Sequence, residues 1–111
     1  MEERDTIGLR TKVKFEDGSI YTAKVDTGAD SSSIDKAIFK KLGDKEIIEH
    51  KTIRSALGKH KRPAAMLEVE INGKLFKQKF TISDRSNLNF KVLIGCDILK
   101  KGEFLVDPLQ R

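Results

Sequence analysis

The sequence predicts a mainly β fold with one or two short helices. Residues 12–15 and 20–25 are rich in alternating or β-branched side chains on either side of Asp17-Gly18, which is typical of a β-hairpin. Alternating apolar residues over 65–82 surround Asn72-Gly73, a dipeptide typical of a two-residue hairpin turn. Helical spacing of apolar residues is confined to two short segments, so helices are expected to be minor elements.

The first short helix is predicted over about 34–42. Ser32 stands three residues before Asp35, a spacing typical of a capping box at a helix N-terminus. Apolar residues then follow at helical intervals, and Gly43 is a typical stop. We therefore expect Ser32 to cap this helix.

The remaining elements are less regular in sequence. The stretch 44–64 carries eight Lys, Arg and His residues and few apolar side chains, so we expect a single strand there, near 52–56. Residues 91–94 predict a further strand, followed by one helical turn that ends at Gly102. Residues 104–106 predict a last short strand.

Length and composition limit the type of protein. A chain of 111 residues matches one domain, 1–111, and is too short for two independent cores. The single Cys96 cannot form an intramolecular disulfide, and no apolar run approaches the roughly 20 residues that span a bilayer. These observations favour a cytoplasmic protein without a membrane partner.

The net positive charge is compatible with an anionic binding partner but does not identify it. The formal net charge of +5 suits either an anionic partner or a solvated basic surface. Aromatic residues make up 6% of the chain and Trp is absent, so surfaces for base stacking are scarce. Nucleic acid is therefore not the expected partner.

The stretch most suggestive of chemistry is 23–29, where an apolar strand delivers Asp26 onto a turn formed with Thr27 and Gly28. Glycine at this position permits unusual backbone geometry and the close approach of a second chain. A carboxylate at a strand end is also a common turn former, and Asp-Thr-Gly is a common tripeptide. The tripeptide alone leaves a catalytic and a structural interpretation open.

A second element supplies context for that tripeptide. The Asp26-Thr27-Gly28-Ala29 segment resembles the catalytic sequence of retropepsin-like aspartic peptidases. Val92-Leu93-Ile94-Gly95 is similar to the apolar-apolar-Gly stretch that packs behind their catalytic loop. The resemblance implies a retropepsin-like, acid-protease fold, a closed β-barrel lobe in which Gly95 and Asp97 support the site.

Further segments narrow the resemblance to RimB-like proteins, in a family named ATP-dependent zinc proteases and associated with RimK-type glutamate ligases. These segments are Arg62-Pro63, Asp84-Arg85-Ser86, the Leu93-Ile94-Gly95 stretch and 104–108. Ligases of that kind add glutamate chains to proteins, and the RimB branch is linked to trimming them. The resemblance therefore implies a RimK-type ligase as a candidate partner.

The resemblance also implies an aspartic peptidase that acts as a homodimer. Hydrolysis by this mechanism uses one ionised and one protonated carboxyl group close together, and the chain has a single Asp-Thr-Gly. Two copies must therefore place Asp26 beside its symmetry mate. Thr27 is expected to bond across the interface beneath this pair, and Gly28 to accept the substrate backbone.

Residues 52–64 occupy the position of the flap that closes over substrate in retropepsins. The expected substrate-binding residues come from the turn and from this flap: Ala29, Asp30, Arg54, Gly58 and Arg62. Because guanidinium groups pair well with carboxylates, acidic or glutamate-rich peptides and proteins are candidate substrates. Flap cations that are simply solvated are the alternative.

One position departs from the retropepsin pattern. Retropepsins usually carry Arg after the Gly of the second element, paired with an acid that follows Asp-Thr-Gly-Ala; here the acid is Asp30 and the Arg position is Cys96. Asp30 is expected to be exposed or to use another partner, with Arg54 and Arg85 as candidates. Arg85 is expected to support the site or to form a structural ion pair, and Cys96 to be a small packed residue.

No cofactor is expected from the sequence. His50 and His60 are not part of a His-Glu-x-x-His motif, one cysteine cannot build a structural zinc site, and no Gly-rich Lys-Ser/Thr loop is present. The rival to an enzyme is a non-catalytic retropepsin-fold module that binds acidic tails or a ligase. A nucleic-acid binder is the third interpretation, and its affinity would depend steeply on salt.

Overall fold

The computed structural model describes residues 4–43, 45–56 and 58–110, and of Ser55 it describes the backbone alone. Within these residues the chain forms nine strands and two short helices. The strands are β1 (Thr6–Ile7), β2 (Arg10–Phe15), β3 (Ile20–Val25), β4 (Ser33–Asp35), β5 (Glu49–Ser55), β6 (Gly58–Ile71), β7 (Lys74–Ser83), β8 (Val92–Ile94) and β9 (Leu105–Val106); the helices are α1 (Lys36–Lys41) and α2 (Cys96–Lys101). The predicted mainly β fold with short helices is confirmed.

The large sheet closes on itself. Its strand order is β2-β3-β8-β4-β7-β6-β5, and β6 also pairs with β2, so that all of these strands except β5 form a ring. Closure pairs each ring strand on both sides over at least part of its length, which protects backbone groups there. β1 and β9 form a separate parallel pair, with Thr6 opposite Leu105 and Ile7 opposite Val106. The ring is the closed lobe that the sequence predicts.

The hydrophobic core fills this ring because inward-facing residues alternate along its strands. Val13 and Phe15 of β2 are buried, as are Ala23 and Val25 of β3, while the intervening residues are exposed. Phe15 packs edge to face on Phe80, with ring centroids 6.2 Å apart. Each large side chain buried in this way contributes roughly 1.5–3 kcal/mol to stability.

Both predicted hairpins are confirmed. β2 and β3 pair antiparallel across the turn that contains Asp17-Gly18, and β6 and β7 pair across Asn72-Gly73. Asn72 and Gly73 have φ of 56° and 79°, the left-handed values that a type I′ hairpin turn requires.

The predicted capping role of Ser32 is wrong. Asp35 caps α1, because its carboxylate accepts a hydrogen bond of 3.1 Å from the backbone nitrogen of Ala37. Residues Ser33–Asp35 form the short strand β4, which pairs parallel with β7 and antiparallel with β8. These pairings hold the chain extended up to Asp35, so the helix begins two residues later than predicted.

The basic middle segment is more ordered in secondary structure than its sequence indicates. The single strand expected near 52–56 is β5, and it pairs from Glu49–Ala64 to Ser55–Gly58 with the first half of β6. The predicted flap is therefore one antiparallel hairpin, although Leu57 within it lies outside the described residues.

The predictions for the C-terminal part are confirmed: β8, the short helix α2 that ends at Gly102, and β9. Strand β1, which pairs with β9, is not apparent in the sequence pattern, because it has only two residues. Among the described residues no helix has the length and apolar character needed to cross a membrane.

Candidate active site

Asp26 lies on a tight turn directly after β3. Its backbone nitrogen donates to Ile94 O at 2.9 Å, which continues the pairing of β3 with β8, and Ala29 N closes the turn by donating to Asp26 O at 3.2 Å. One carboxylate oxygen, Oδ1, accepts a hydrogen bond of 2.9 Å from Gly28 N. No other described residue donates to this half-buried carboxylate. The turn thus orients Asp26 and leaves its second oxygen without a hydrogen-bond donor among the described residues.

The second element packs beneath this turn. Cys96 N donates to Ala29 O at 2.8 Å, and Asp97 N donates to Asp30 O at 3.2 Å. Gly95 fits between the two segments because it has no side chain: a Cβ there would lie 2.8 Å from Ala29 O and from Ser31 O. The close approach of β8 and α2 to the Asp26 turn therefore requires glycine at this position.

Asp97 links three segments behind the turn. Its carboxylate accepts hydrogen bonds from Ser32 N at 2.9 Å, from Ser32 Oγ at 2.6 Å and from Ile98 N at 2.7 Å. A weaker bond comes from Gln78 Nε2 at 3.3 Å. Ser32 is fully buried, and its hydroxyl also accepts from Gly95 N at 3.0 Å. Ser32 therefore joins Asp97 to the turn, a role that its sequence context does not reveal.

An apolar depression of about 600 Å³ adjoins Thr27. Thr27 is exposed, and its carbonyl oxygen accepts a hydrogen bond of 3.1 Å from Cys96 Sγ. Leu105, at the edge of the depression, has 54% of its surface exposed. This face of the molecule presents apolar side chains immediately beside the Asp26 turn.

A groove of about 480 Å³ lies on another side of the same turn. Six of the residues proposed for the site from sequence line it: Gly28, Ala29, Asp30, Arg54, Arg62 and Arg85. Lys51, which was not among the predicted residues, also lines the groove and donates to Ser31 Oγ. The alternation of β5 would have indicated Lys51, since it shares a face with half-buried Ile53.

Gly58 departs from expectation, whereas Asp30 has one of the two environments expected for it. Gly58 is not part of the groove lining. Asp30 is exposed, and within the described ranges it forms no ion pair with either candidate partner, Arg54 or Arg85. Among the described residues, no other cation therefore takes the place of the Arg that usually follows the second glycine.

Arg85 is held by backbone and not by an ion pair. Its Nε donates to Phe90 O at 3.0 Å, and its backbone nitrogen donates to Asp35 Oδ1 at 2.6 Å. Burial lowers the pKa of the guanidinium, the like charge of Arg62 acts in the same direction, and Asp35 and Asp26 act in the opposite one. The proposed structural ion pair does not form among the described residues.

The side chains do not assemble a metal site in the part of the chain that is described. No group of three or more His, Cys, Asp and Glu residues there is placed to hold a metal ion. The chemistry available near the turn is that of carboxylates, hydroxyls and cations.

Comparison with known proteins finds a matching family and similar folds. The family model for RimB-like proteins, described as retropepsin-like aspartic endopeptidase RimB, matches residues 36–111, a stretch that begins after the Asp26 turn. Protein Lpg0085 of Legionella pneumophila, described as having unknown function (DUF785), is similar at 22% identity and a TM-score of 0.72 over 96% of this chain and 95% of that one.

Two viral proteases are similar as well. EIAV protease, solved with the inhibitor HBY-793, has 19% identity and a TM-score of 0.71, over 96% of this chain and 95% of its own. The protease of simian foamy virus has 14% identity and a TM-score of 0.63, over 82% of this chain and 91% of its own. At these identities the likeness concerns the fold. No curated protein sequence matches the chain.

Proposed function

The chain belongs to the RimB-like family of retropepsin-like aspartic endopeptidases, and from that premise we propose that it is an aspartic peptidase whose active site forms when two copies bring their Asp26 residues together. The observation that carries this proposal is the geometry of the turn: Asp26 is held at the end of β3 by Ile94 and Gly28, with one carboxylate oxygen unengaged by the described residues.

The second copy is required by the chemistry. Two adjacent carboxyl groups share a proton because both cannot ionise side by side, and this gives one base and one acid. Each 111-residue domain supplies one Asp-Thr-Gly. The apolar depression beside Thr27 offers a face on which a two-fold mate can pack, and Thr27 then lies where it can bond across the interface.

The hydrolytic step balances without a cofactor. The ionised Asp26 takes a proton from water while the oxygen attacks the peptide carbonyl carbon, and the protonated Asp26 of the second copy gives its proton to the carbonyl oxygen. Collapse of the resulting diol breaks the C–N bond: the leaving nitrogen takes the proton that the first Asp26 received from water, and a diol hydroxyl returns a proton to the Asp26 of the second copy. Gly28 supplies backbone contacts to the substrate. No step uses zinc or ATP.

Acidic or glutamate-rich chains are the proposed substrates. Lys51, Arg54, Arg62 and Arg85 line the groove next to the Asp26 turn, and Asp30 is the only acid among the lining residues described. Arg54 and Arg62 side chains form no ion pair with the described residues, so their charge is available to a ligand. Ala29 and Asp30 line the same groove, and Gly58 lies on the hairpin that borders it.

A non-catalytic binding module is the second candidate, and one observation favours it. Cys96 stands where retropepsins usually have Arg, and Asp30 has no described ion-pair partner. If this loss prevents two copies from docking, the basic groove would still hold acidic tails, including those made by a RimK-type ligase. A cytoplasmic location suits either candidate, since the single cysteine needs no oxidising compartment.

The test is mass-spectrometric detection of cleavage in a peptide library that includes poly-glutamate chains. Wild type is compared with Asp26→Asn and with the control Asp17→Asn, which alters an exposed turn carboxylate bonded to Ser19. We expect cleavage by wild type and by the control, none by Asp26→Asn, and no effect of chelator. Cleavage that survives in Asp26→Asn, or none by a wild type shown to be dimeric, would move the assignment to the binding module.

A further inference from the structure

The connection between β7 and β8 is organised around one ammonium group. Lys91 Nζ donates to Arg85 O at 3.0 Å, to Ser86 O at 2.6 Å and to Leu88 O at 2.7 Å. An ammonium has three N–H donors, so all of them are directed at the backbone of the loop. Lys91 is half-buried and forms no ion pair with the described residues. Its ammonium group therefore connects three backbone carbonyl groups of the loop by hydrogen bonds.

The same loop carries Arg85, and its other contacts converge on that residue. Arg85 O accepts from Leu88 N at 3.0 Å in addition to Lys91. Phe90, whose carbonyl accepts from Arg85 Nε at 3.0 Å, lies beneath the Arg10 guanidinium, 5.8 Å from the ring centroid. Asp35 holds the Arg85 amide, and its own amide donates to Lys91 O at 2.8 Å. Arg85 is thus fixed at its amide, its carbonyl and its Nε.

This arrangement leaves one part of Arg85 unengaged. The terminal nitrogens of its guanidinium have no hydrogen-bond partner among the described residues, and the side chain lines the groove with Arg62. An arginine side chain normally loses up to about 2 kcal/mol of conformational freedom when it is ordered. Here the loop orders it before any ligand arrives, so less is lost when a carboxylate binds.

We propose that Lys91 is a positioning residue for substrate recognition: its ammonium holds the loop 85–90 in the one conformation that directs the Arg85 guanidinium into the groove toward a substrate carboxylate. This role rests on the proposed peptidase function, and it assigns a task to a lysine that does not line the groove.

The kinetic test compares Lys91→Ala with Lys101→Ala. Lys101 is the matched control because its Nζ donates to a single carbonyl, Lys77 O at 2.8 Å, in another part of the fold. Each protein is assayed on a glutamate-containing peptide and on the same peptide with glutamine. We expect Lys91→Ala to raise KM for the glutamate peptide by about tenfold, the value of one charge-assisted hydrogen bond, with kcat and the glutamine peptide little affected.

Two further variants separate positioning from general loosening. If Lys91 acts through Arg85, the Lys91→Ala/Arg85→Ala double variant has the same KM as Arg85→Ala. Ammonium chloride supplies a free cation for the emptied site and is expected to restore part of the affinity of Lys91→Ala, whereas sodium chloride at equal ionic strength does not.

A spectroscopic readout works without turnover. The Arg85 Nε–H is bonded to Phe90 O, so its NMR signal should show slow exchange with solvent in wild type. The signal is assigned by its loss in Arg85→Lys. In Lys91→Ala the same proton should exchange fast. Retained protection, or an equal KM change for both peptides, overturns the proposal. Absence of cleavage by wild type instead overturns the peptidase assignment, while the exchange rates still decide whether Lys91 places Arg85.

Discussion

The Asp26 turn and the basic hairpin border the same groove but are held in different ways. The turn is bonded to β8, to α2 and, through Asp97, to Ser32, so it is fixed from behind by three segments. The hairpin of β5 and the first half of β6 rests mainly on its own ladder, with Lys51 and Glu49 as side-chain anchors near its base. Asp26, the proposed catalytic residue, is thus held firmly from behind, whereas we expect the charged wall of the groove to be able to adjust.

The largest loss of stability is expected for Gly95→Ala, which changes the packing behind the Asp26 turn. Gly95 has φ of −97°, which any residue adopts, so the cost comes from space: the new Cβ would meet Ala29 and Ser31 backbone atoms at 2.8 Å. We expect a loss of about 3 kcal/mol in the free energy of unfolding, measured by urea titration. Cys96→Ala, the neighbouring control, should lose less than about 1 kcal/mol, and equal losses would show that the close approach is not what fixes the turn.

Asp97→Ala is expected to have the next largest effect. It removes the acceptor of both Ser32 bonds and leaves a buried amide and hydroxyl without their partner. Loss of about 2–3 kcal/mol in the free energy of unfolding is expected. Asp107→Ala serves as the control, since the Asp107 carboxylate accepts from Leu109 N at 2.9 Å and from no other described group. Similar losses in the two variants would contradict the central role of Asp97.

A smaller, pH-dependent effect on the free energy of unfolding is expected for Glu16→Gln. Glu16 connects the segment before β5 to the ring. It bonds Lys45 and accepts from Glu68 N at 3.1 Å, and its hydrogen bond to Lys45 lowers the pKa of its carboxyl group. Because the folded-state pKa lies below the unfolded value, this stabilisation is complete above the unfolded pKa and is lost as pH falls through the folded one. Glu16→Gln should therefore lower stability by less than about 1 kcal/mol at neutral pH.

The pH series supplies the check on that prediction. Wild type and Glu16→Gln should converge in free energy of unfolding as the pH is lowered through the acidic range, since the wild-type carboxyl group then becomes neutral as well. A difference that persists unchanged at low pH would mean that Glu16 acts through packing and not through its charge.

The smallest effect on stability, and a clear one on binding, is expected from Arg62→Gln. Its side chain has no described ion-pair partner, so the free energy of unfolding should change by at most about 0.5 kcal/mol. Affinity for a glutamate peptide should fall, and its dependence on salt should weaken. Lys61→Gln is the control, because exposed Lys61 is adjacent on the same strand but does not line the groove. An equal loss of affinity in both would indicate a diffuse charge effect.

The sequence predicts best the elements whose partners are close along the chain. Asn72-Gly73 and the alternation around it identify the β6–β7 hairpin without reference to the rest of the molecule. Strand β4 cannot be identified in this way, because its three residues are extended only through pairing with β7 and β8. Ser32 is misassigned for the same reason: its partner Asp97 is 65 residues away.

The same rule applies to the site. Asp26 and Gly95 are recognisable because each lies in a short, self-contained motif. Lys51 could be found only from the alternation that it shares with Ile53 in β5, and Lys91 could not be found at all, because a lysine in sequence is a generic surface residue. Their tasks depend on register, which sets Lys51 opposite Arg62, and on a loop conformation that brings three carbonyls to Lys91.

Strand β6 changes its pairing partner at Ala64, so the part of β6 from Gly58 to Ala64 extends away from β7 as an arm. Ala64 is opposite both Glu49 of β5 and Thr81 of β7, whereas residues beyond it toward Gly58 pair with β5 alone. The arm from Ala64 to Gly58 is about 20 Å long at the usual rise per residue of a strand. A bend of about 10° at Ala64 would move the far end of the arm by about 3.5 Å, given that length. Access to the groove can therefore change without breaking a single rung of the β6–β7 ladder.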